Sequence, residues 1–145
     1  MIWYSDASYL VSAFGRDSNT PKAKAWLRKC RSFPILVTRL TLLEADTAMR
    51  SAVVDGRMKT EDLQKALAGI HRALLEGYLE RRDVPAHQWY PQAHRITAHA
   101  SPKCICKALD VLHVSAAVNF KAKGFLSFDG HQSLLARAEG LIAAP

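Results

Sequence analysis

The feature that most limits the fold of this chain is a set of short apolar segments separated by much longer helical patterns. Three such segments are evident: Ile2 to Tyr4, Ile35 to Val37 and Phe125 to Phe128. Each is rich in aromatic or β-branched residues, as β-strands are. Helical connections of roughly ten or more residues join successive strands in parallel, with right-handed crossovers. The sequence therefore predicts an α/β fold in three α/β/α layers, with helices covering both faces of a central parallel sheet.

Helix start and stop signals fill the intervals between these segments. Thr20 and Pro21 provide an N-cap followed by proline at the first helical position. The predicted helices are Ala7 to Phe14, Thr20 to about Arg31, Thr38 or Thr41 to about Val54, Thr60 to about Arg81, Trp89 to Ala100, Lys107 to Lys121 and Gln132 to Ala138. A brief strand is expected around Val84, at a sheet edge because Pro85 follows it. The last residues form an apolar tail.

Composition narrows the class of protein. The chain has 145 residues, of which 49% are hydrophobic, and this fits one globular domain. A formal charge of +7 favours polyanionic partners. The three cysteines form neither a C-x-x-C pair nor an even-numbered disulfide framework, which favours a reducing compartment. With no signal-peptide pattern and no apolar run of about 18 residues, we expect a cytoplasmic protein that does not enter the membrane.

Acidic residues recur where the predicted strands end. Asp6 and Asp129 each follow a strand directly, and Glu44 lies near the start of the helix after the second strand. Asp110 lies in a helix that is apolar on nearly every face, where an ionised carboxylate is costly unless it is paired. Four carboxylates in one pocket would require a cation, and oxygen ligands select Mg²⁺ or Mn²⁺. Such sites are typical of enzymes that direct water onto a phosphodiester.

Each acid also has a simpler interpretation. An aspartate after a strand is often only the N-cap of the next helix, and a helical glutamate is usually solvated. Asp110 could be satisfied by Lys107 or by a neighbouring helix amide. His113, three residues after Asp110, is favoured as a packing residue over a partner of the acids, although both interpretations stay open. His131 could serve only to cap the last helix.

Taken in order, these segments resemble the PIN domains, and within them the VapC-type toxins of bacterial toxin–antitoxin pairs. The resemblance is carried by Tyr4 to Ser8, Thr41 to Glu44, Ala108 to His113, and Phe125 to Asp129 continuing into Ala136 to Leu141. The last two acids are 19 residues apart. The match spans essentially the whole chain, although Lys59 to Lys103 agrees only in its helical character.

The resemblance implies a Mg²⁺- or Mn²⁺-dependent endoribonuclease with a PIN-like fold. Asp6, Glu44, Asp110 and Asp129 would bind the metal directly or through water, and Ser8 and Ser127 would orient ligands or waters. The family often has Thr where Ser127 stands, and Ser keeps the hydroxyl. The implied partners are RNA, a cognate antitoxin protein and a second copy of the chain in a homodimer.

Basic and aromatic residues suggest further contacts with RNA. Five basic residues could reach phosphates at the mouth of the pocket, Arg39, Lys103 and Lys107 among them, with Arg50 and Arg137. An exposed Trp89 could stack on an unpaired base. His94 and His99 are five residues apart, which does not fit a zinc pair on one helix face.

Two other functions of α/β folds with acidic strand ends fit this sequence less well. A phospho-acceptor receiver domain is disfavoured because Ser5, not a second acid, precedes Asp6, and because Asp129 rather than a lysine follows the late strand. Ser8 disfavours a phosphatase with a D-x-D nucleophile. Two alternatives stay open: a nuclease of the same fold that matures RNA without a toxin role, and a catalytically silent domain that binds RNA or metal.

Overall fold

Strands and helices alternate through most of the chain. The computed structural model describes residues 1–104 and 106–145. The strands are β1 (Trp3–Ser5), β2 (Ile35–Val37), β3 (Leu79–Arg81), β4 (Gly124–Leu126) and β5 (Ile142–Ala144). The helices are α1 (Ala7–Phe14), α2 (Thr20–Lys29), α3 (Arg39–Val54), α4 (Thr60–Leu75), α5 (Ala86–His99), α6 (Ala108–Asn119) and α7 (Gly130–Ala138), with a 3₁₀ turn at Pro102–Cys104.

The strands form one parallel sheet in the order β3-β2-β1-β4-β5. In the register of the central pairs, Trp3 of β1 lies beside Ile35 of β2 and Gly124 of β4. A Cβ at Gly124 would overlap the Trp3 indole, so this strand position requires glycine. No helix among the described residues is long and apolar enough to cross a membrane.

Two apolar cores cover the two faces of the sheet, as the alternation of side chains along a strand requires. Trp3, Ile35, Val37 and Leu79 face the layer formed by α1, α2, α3 and α4. Tyr4, Leu36 and Phe125 face the other layer, formed by α5, α6 and α7. The predicted three-layer α/β/α arrangement is therefore confirmed.

Several predicted boundaries are wrong. The helix expected to reach Arg81 ends at Leu75, because Gly77 reverses the chain with a φ of 78°. The third strand is Leu79–Arg81, not the segment around Val84, and the apolar tail contains β5. β4 ends at Leu126, two residues before the predicted end. Both unrecognised strands lie at sheet edges, where fewer apolar residues are needed.

Candidate functional site

The four predicted acids lie at the edge of the sheet where the parallel strands end. Asp6 follows β1 and Asp129 follows β4 after two intervening polar and aromatic residues. Glu44 is in the second turn of α3, which begins after β2, and Asp110 is in the first turn of α6. Because β1, β2 and β4 are adjacent and parallel, their carboxyl ends open onto one crevice, the usual ligand site of such sheets.

Asp6 is the most deeply placed of the acids and has no solvent-accessible surface. Its carboxylate caps α1 by accepting from the Tyr9 amide at 3.0 Å. The same carboxylate accepts from Ser8 Oγ at 2.8 Å and from Ser127 Oγ at 2.7 Å. Burial raises the pKa of Asp6, and these donors oppose the rise. The two serines thus fix the orientation of Asp6 across the gap between β1 and β4.

Gln132 links Asp110 to Asp129. The Gln132 side chain donates to Asp110 Oδ1 at 3.0 Å, and its backbone amide donates to Asp129 Oδ1 at 2.9 Å. The Lys107 amide donates to Asp110 Oδ2 at 3.2 Å, so a helix amide satisfies that oxygen. Burial raises the pKa of Asp110, and the negative charges of Asp129 and Glu44 raise it further. The acids therefore repel one another across the crevice.

Glu44 is held by a chain of hydrogen bonds that begins in the core. His113 has no exposed surface, and its Nε2 lies 2.5 Å from Glu44 Oε2. His113 Nδ1 lies 2.7 Å from the hydroxyl of Tyr4, which is 3.0 Å from Thr41 Oγ1. A neutral imidazole fits both contacts when Tyr4 donates to Nδ1 and Nε2–H donates to Glu44. His113 is thus both a packing residue and a partner of an acid.

A cleft of about 810 Å³ opens over these groups. Of the four acids, Glu44 and Asp129 line this cleft, and Ser8 and Gln132 are among its other polar residues. Apolar walls come from α3, from the start of α6 and from the residue before Asp129, with Leu43, Leu109 and Phe128 as examples. Its far end reaches the loop between α1 and α2. A cleft of this kind has room for an unpaired nucleotide above the acids.

The donor set fits a hard divalent cation in its chemistry, since it offers carboxylate and amide oxygens without sulfur. No group among the described residues donates to the buried Gln132 Oε1, which leaves an oxygen beside Asp110 without a protein hydrogen bond there. In the described part of the chain, however, no group of three or more His, Cys, Asp or Glu side chains is arranged closely enough to hold a metal ion as it stands. Each acid is instead turned toward protein donors.

The basic residues and the tryptophan that were predicted to contact RNA lie outside the cleft lining or are engaged by other protein groups. Arg39 forms a salt bridge with Asp83 at 2.7 Å, and Arg50 forms one with Asp46. Lys103 and Lys107 are exposed just before α6. Trp89 is half-buried and donates to the Leu112 carbonyl at 2.7 Å, which holds its ring in the core.

Sequence reasoning missed two parts of the site. The sequence indicates a role in helix capping for Gln132, which lies three residues after a capping aspartate, where a glutamine is common, but it does not indicate a contact with Asp110. Tyr4 lies in an apolar strand, where an aromatic residue is expected to pack in the core, so the sequence does not indicate a role for its hydroxyl. Only its contact with His113, which is 109 residues away in sequence, shows that it supports Glu44.

Neither a protein-family model nor a curated protein sequence matches the chain. Solved structures do match over nearly the full length of both chains. VapC20 of Mycobacterium tuberculosis, described as a Sarcin-Ricin loop cleaving toxin, has 14% identity and a TM-score of 0.69, with 96% of this chain and 95% of that chain covered.

Two further solved structures are similar to the chain over nearly its full length. VapBC2 of Rickettsia felis, solved with a DNA fragment from its promoter, has 18% identity and a TM-score of 0.64, covering 99% of this chain and 97% of that one. FitAcB of Neisseria gonorrhoeae has 14% identity and a TM-score of 0.62, covering 100% and 97%. At these identities the likeness establishes the fold, and it confirms the PIN-like α/β/α architecture expected from the resemblance.

Proposed function

We propose that this protein, which has the PIN-like fold of VapC-type toxins, is a Mg²⁺- or Mn²⁺-dependent endoribonuclease that acts as the toxin of a toxin–antitoxin pair. One observation carries the proposal. Four carboxylates surround one crevice in a chain of charge +7, yet no Lys or Arg of the described residues forms a salt bridge with any of them. Among the described residues, the one basic side chain that contacts any of them is His113, at Glu44. The balancing cation is therefore expected from outside the chain.

In this proposal some residues would bind the metal ion and others would hold those ligands in position. Asp6, Glu44, Asp110 and Asp129 would hold the metal, directly or through water. Bound there, the metal would supply polarisation of the phosphodiester and a more acidic water. Ser8 and Ser127 keep Asp6 in place, Gln132 sets the spacing of Asp110 and Asp129, and His113 holds Glu44 toward the crevice. The apolar walls would exclude bulk water from the scissile bond.

The partners follow from the same proposal. RNA is the substrate, and an antitoxin protein and a second copy of the chain are the protein partners. The solved VapC20 structure is that of a toxin described as cleaving the Sarcin-Ricin loop, which supports RNA as the substrate class. A nuclease that only matures RNA would cleave RNA in the same way but would not arrest growth, and a silent binding domain would not cleave.

The test is cleavage of total cellular RNA by the purified protein in Mg²⁺, Mn²⁺ or EDTA. Asp110→Asn removes one charge at the site with little change in shape, and Asp55→Asn makes the same change at an exposed helix end, beside Arg57. We expect discrete, metal-dependent cleavage by the wild type and by Asp55→Asn, and loss of at least a hundredfold in Asp110→Asn. Equal activity in all three proteins would refute the assignment of the site.

The toxin role needs a cellular measurement. Induction of the wild type in a bacterial host is expected to stop growth, and induction of Asp110→Asn at the same protein level is not. If the purified wild type cleaves RNA but its induction leaves growth unchanged, the RNA-maturation alternative is favoured.

A further inference from the structure

Positive charge is concentrated in one short segment of the chain. Residues 16–31 contain Arg16, Lys22, Lys24, Arg28, Lys29 and Arg31 and a single carboxylate, Asp17. This segment therefore carries +5 of the formal charge of +7, although it comprises 16 of the 145 residues. The rest of the protein is close to neutral. We call these six side chains the α2 cation row.

The α2 cation row is free to bind an external anion. All six side chains are exposed. None of them forms a salt bridge within residues 1–104 and 106–145, whereas six arginines elsewhere pair with carboxylates. Ala23 of the same helix is fully buried and Trp26 and Leu27 are partly buried against the core. The helix period therefore places the four cations within α2 on its outward side, and Arg16 and Arg31 flank the helix.

The row starts at the candidate site. Asp17 and Asn19, in the loop between α1 and α2, line the same cleft as Ser8, Glu44 and Asp129. Asp17 is fixed there because it accepts from Ser12 Oγ at 2.8 Å and from the Asn19 amide at 2.8 Å. From this point α2 extends over 10 residues, roughly 15 Å, toward the start of β2. The cations thus continue outward from the rim of the acidic crevice.

The negative charge of the site would oppose the binding of a polyanion, and the α2 cation row can offset that repulsion. A polyanion that enters the cleft meets Glu44 and Asp129 in its lining and is repelled by their charge, and a bound divalent cation cancels only part of that charge. Affinity for the backbone must then come from cations outside the crevice. Such phosphate contacts position a nucleic acid without reading its bases.

We propose that the α2 cation row binds the phosphate backbone of the RNA substrate and guides it into the acidic cleft. This inference rests on the proposed ribonuclease function and names the surface that holds its substrate. RNA is favoured over a lipid surface because the outward side of α2 offers no large exposed apolar side chain for insertion. It is favoured over a protein partner because such an interface normally has an apolar centre.

The test measures binding separately from cleavage. Lys22→Gln with Lys24→Gln removes two charges from the first half of α2, which follows the loop that lines the cleft, and Lys121→Gln with Lys123→Gln removes two exposed charges just before β4, at the end of that strand remote from the acids. Both pairs are made in the cleavage-deficient Asp110→Asn protein. Fluorescence anisotropy with a labelled single-stranded RNA then gives the affinity at several salt concentrations.

We expect the α2 pair to weaken RNA binding roughly tenfold at low salt and to lower the slope of log K against log salt by about 1.4, or about 0.7 per lost phosphate contact. The protein with the pair of substitutions before β4 should bind RNA with the affinity of the Asp110→Asn protein. Equal weakening by both pairs, or by neither, would overturn the proposal. So would loss of binding to anionic vesicles or to an acidic protein while RNA binding persists.

A second arm separates this inference from the proposed function. In the otherwise wild-type protein, the α2 pair should raise the KM for RNA cleavage and leave kcat unchanged. If the wild type does not cleave RNA but the α2 pair still selectively loses RNA binding, the ribonuclease proposal fails and the binding surface stands. If the wild type cleaves RNA and the α2 pair cleaves with an unchanged KM, the surface is refuted and the ribonuclease stands.

Discussion

Replacing Tyr4 with phenylalanine tests whether the core of the protein holds Glu44 in position. The ring of Tyr4 is fully buried and stacks on Phe125, and a phenylalanine keeps that packing. The change removes only the hydroxyl, which contacts His113 Nδ1 at 2.7 Å and Thr41 Oγ1 at 3.0 Å. Burial raises the pKa of Tyr4, so the hydroxyl stays protonated and can donate at neutral pH.

The size of the effect follows from which partner is left without a hydrogen bond. Thr41 keeps its bonds to Thr38, but His113 Nδ1 is buried and loses its only partner in the described structure. An orphaned buried polar atom costs roughly 1–3 kcal/mol. We expect the free energy of unfolding to fall by about 2 kcal/mol, which for a domain of 145 residues lowers the Tm by about 7 °C.

The same change should also reduce activity, because His113 no longer holds a fixed ring orientation against Glu44. Loss of a residue that orients a metal ligand typically costs about ten- to a hundredfold in activity or metal affinity. Urea unfolding gives the stability, and the cleavage rate per folded molecule gives the activity. Tyr9→Phe is the matched control, since Tyr9 is also buried and its hydroxyl donates to the Ala23 carbonyl at 3.2 Å, away from the acids.

Tyr9→Phe should lose about 1 kcal/mol of stability and no activity per folded molecule. The reasoning is refuted if both variants lose the same stability and keep full activity. A loss of stability in Tyr4→Phe with unchanged cleavage would show that the Tyr4 hydroxyl supports the core alone.

Three further predictions follow from the same contacts. In EDTA, Asp110→Asn should unfold at a higher urea concentration than the wild type. The difference should grow as the pH rises from about 4, because the pKa of Asp110 is raised in the folded state and ionisation of its carboxyl therefore lowers the free energy of unfolding of the wild type. Saturating Mn²⁺ should reverse that order, because metal at a hundredfold excess over its Kd adds about 2.7 kcal/mol to the wild type alone. Gln132→Met removes the hydrogen bond that the Gln132 side chain donates to Asp110, so its free energy of unfolding should fall by about 1 kcal/mol in urea titrations, and it should bind Mn²⁺ at least tenfold more weakly in a thermal-shift titration. Gly124→Ala should lower the free energy of unfolding by about 3 kcal/mol in urea titrations, because the new methyl group overlaps Trp3.

Each of these has a control in the chain. Asp55→Asn should show neither the pH effect of Asp110→Asn nor its loss of metal stabilisation. Gly130→Ala adds a methyl group where no other atom of the described residues lies within 4 Å, so its stability should match or exceed that of the wild type. A Gln132→Met protein that binds Mn²⁺ with wild-type affinity would show that Gln132 does not set the spacing of Asp110 and Asp129.

The local pattern was sufficient for those parts of the fold that are buried on both faces. β2 and the aromatic residues of β1 and β4 lie in the middle of the sheet, so hydrophobic burial forces their sequences to be apolar and they are recognised directly. β3, with Leu79, Glu80 and Arg81, lies at an edge and needs only one buried side chain. Nothing in such a segment distinguishes it from the end of a helix, which is what the sequence pattern predicts there.

The acids at strand ends were predictable for a related reason. Parallel strands joined by helices must end at the same edge, so residues that follow Tyr4 and Phe125 meet whatever the details of packing. Which donors satisfy those acids was not predictable. Gln132 reaches Asp110 across 22 residues, and that contact depends on how α7 packs against α6.

Burial and chain connectivity act on short segments, so the amino-acid sequence is enough to specify the layer architecture, the edge at which the acids gather and the excess of positive charge. The contacts by which Tyr4 and His113 hold Glu44, the pairing of Arg39 with Asp83 and the outward placement of the α2 cations depend on the folded structure. Those facts depend on distances between residues remote in sequence. Hydrogen bonds and ion pairs form only within a few ångströms, and packing of the elements sets which groups come that close.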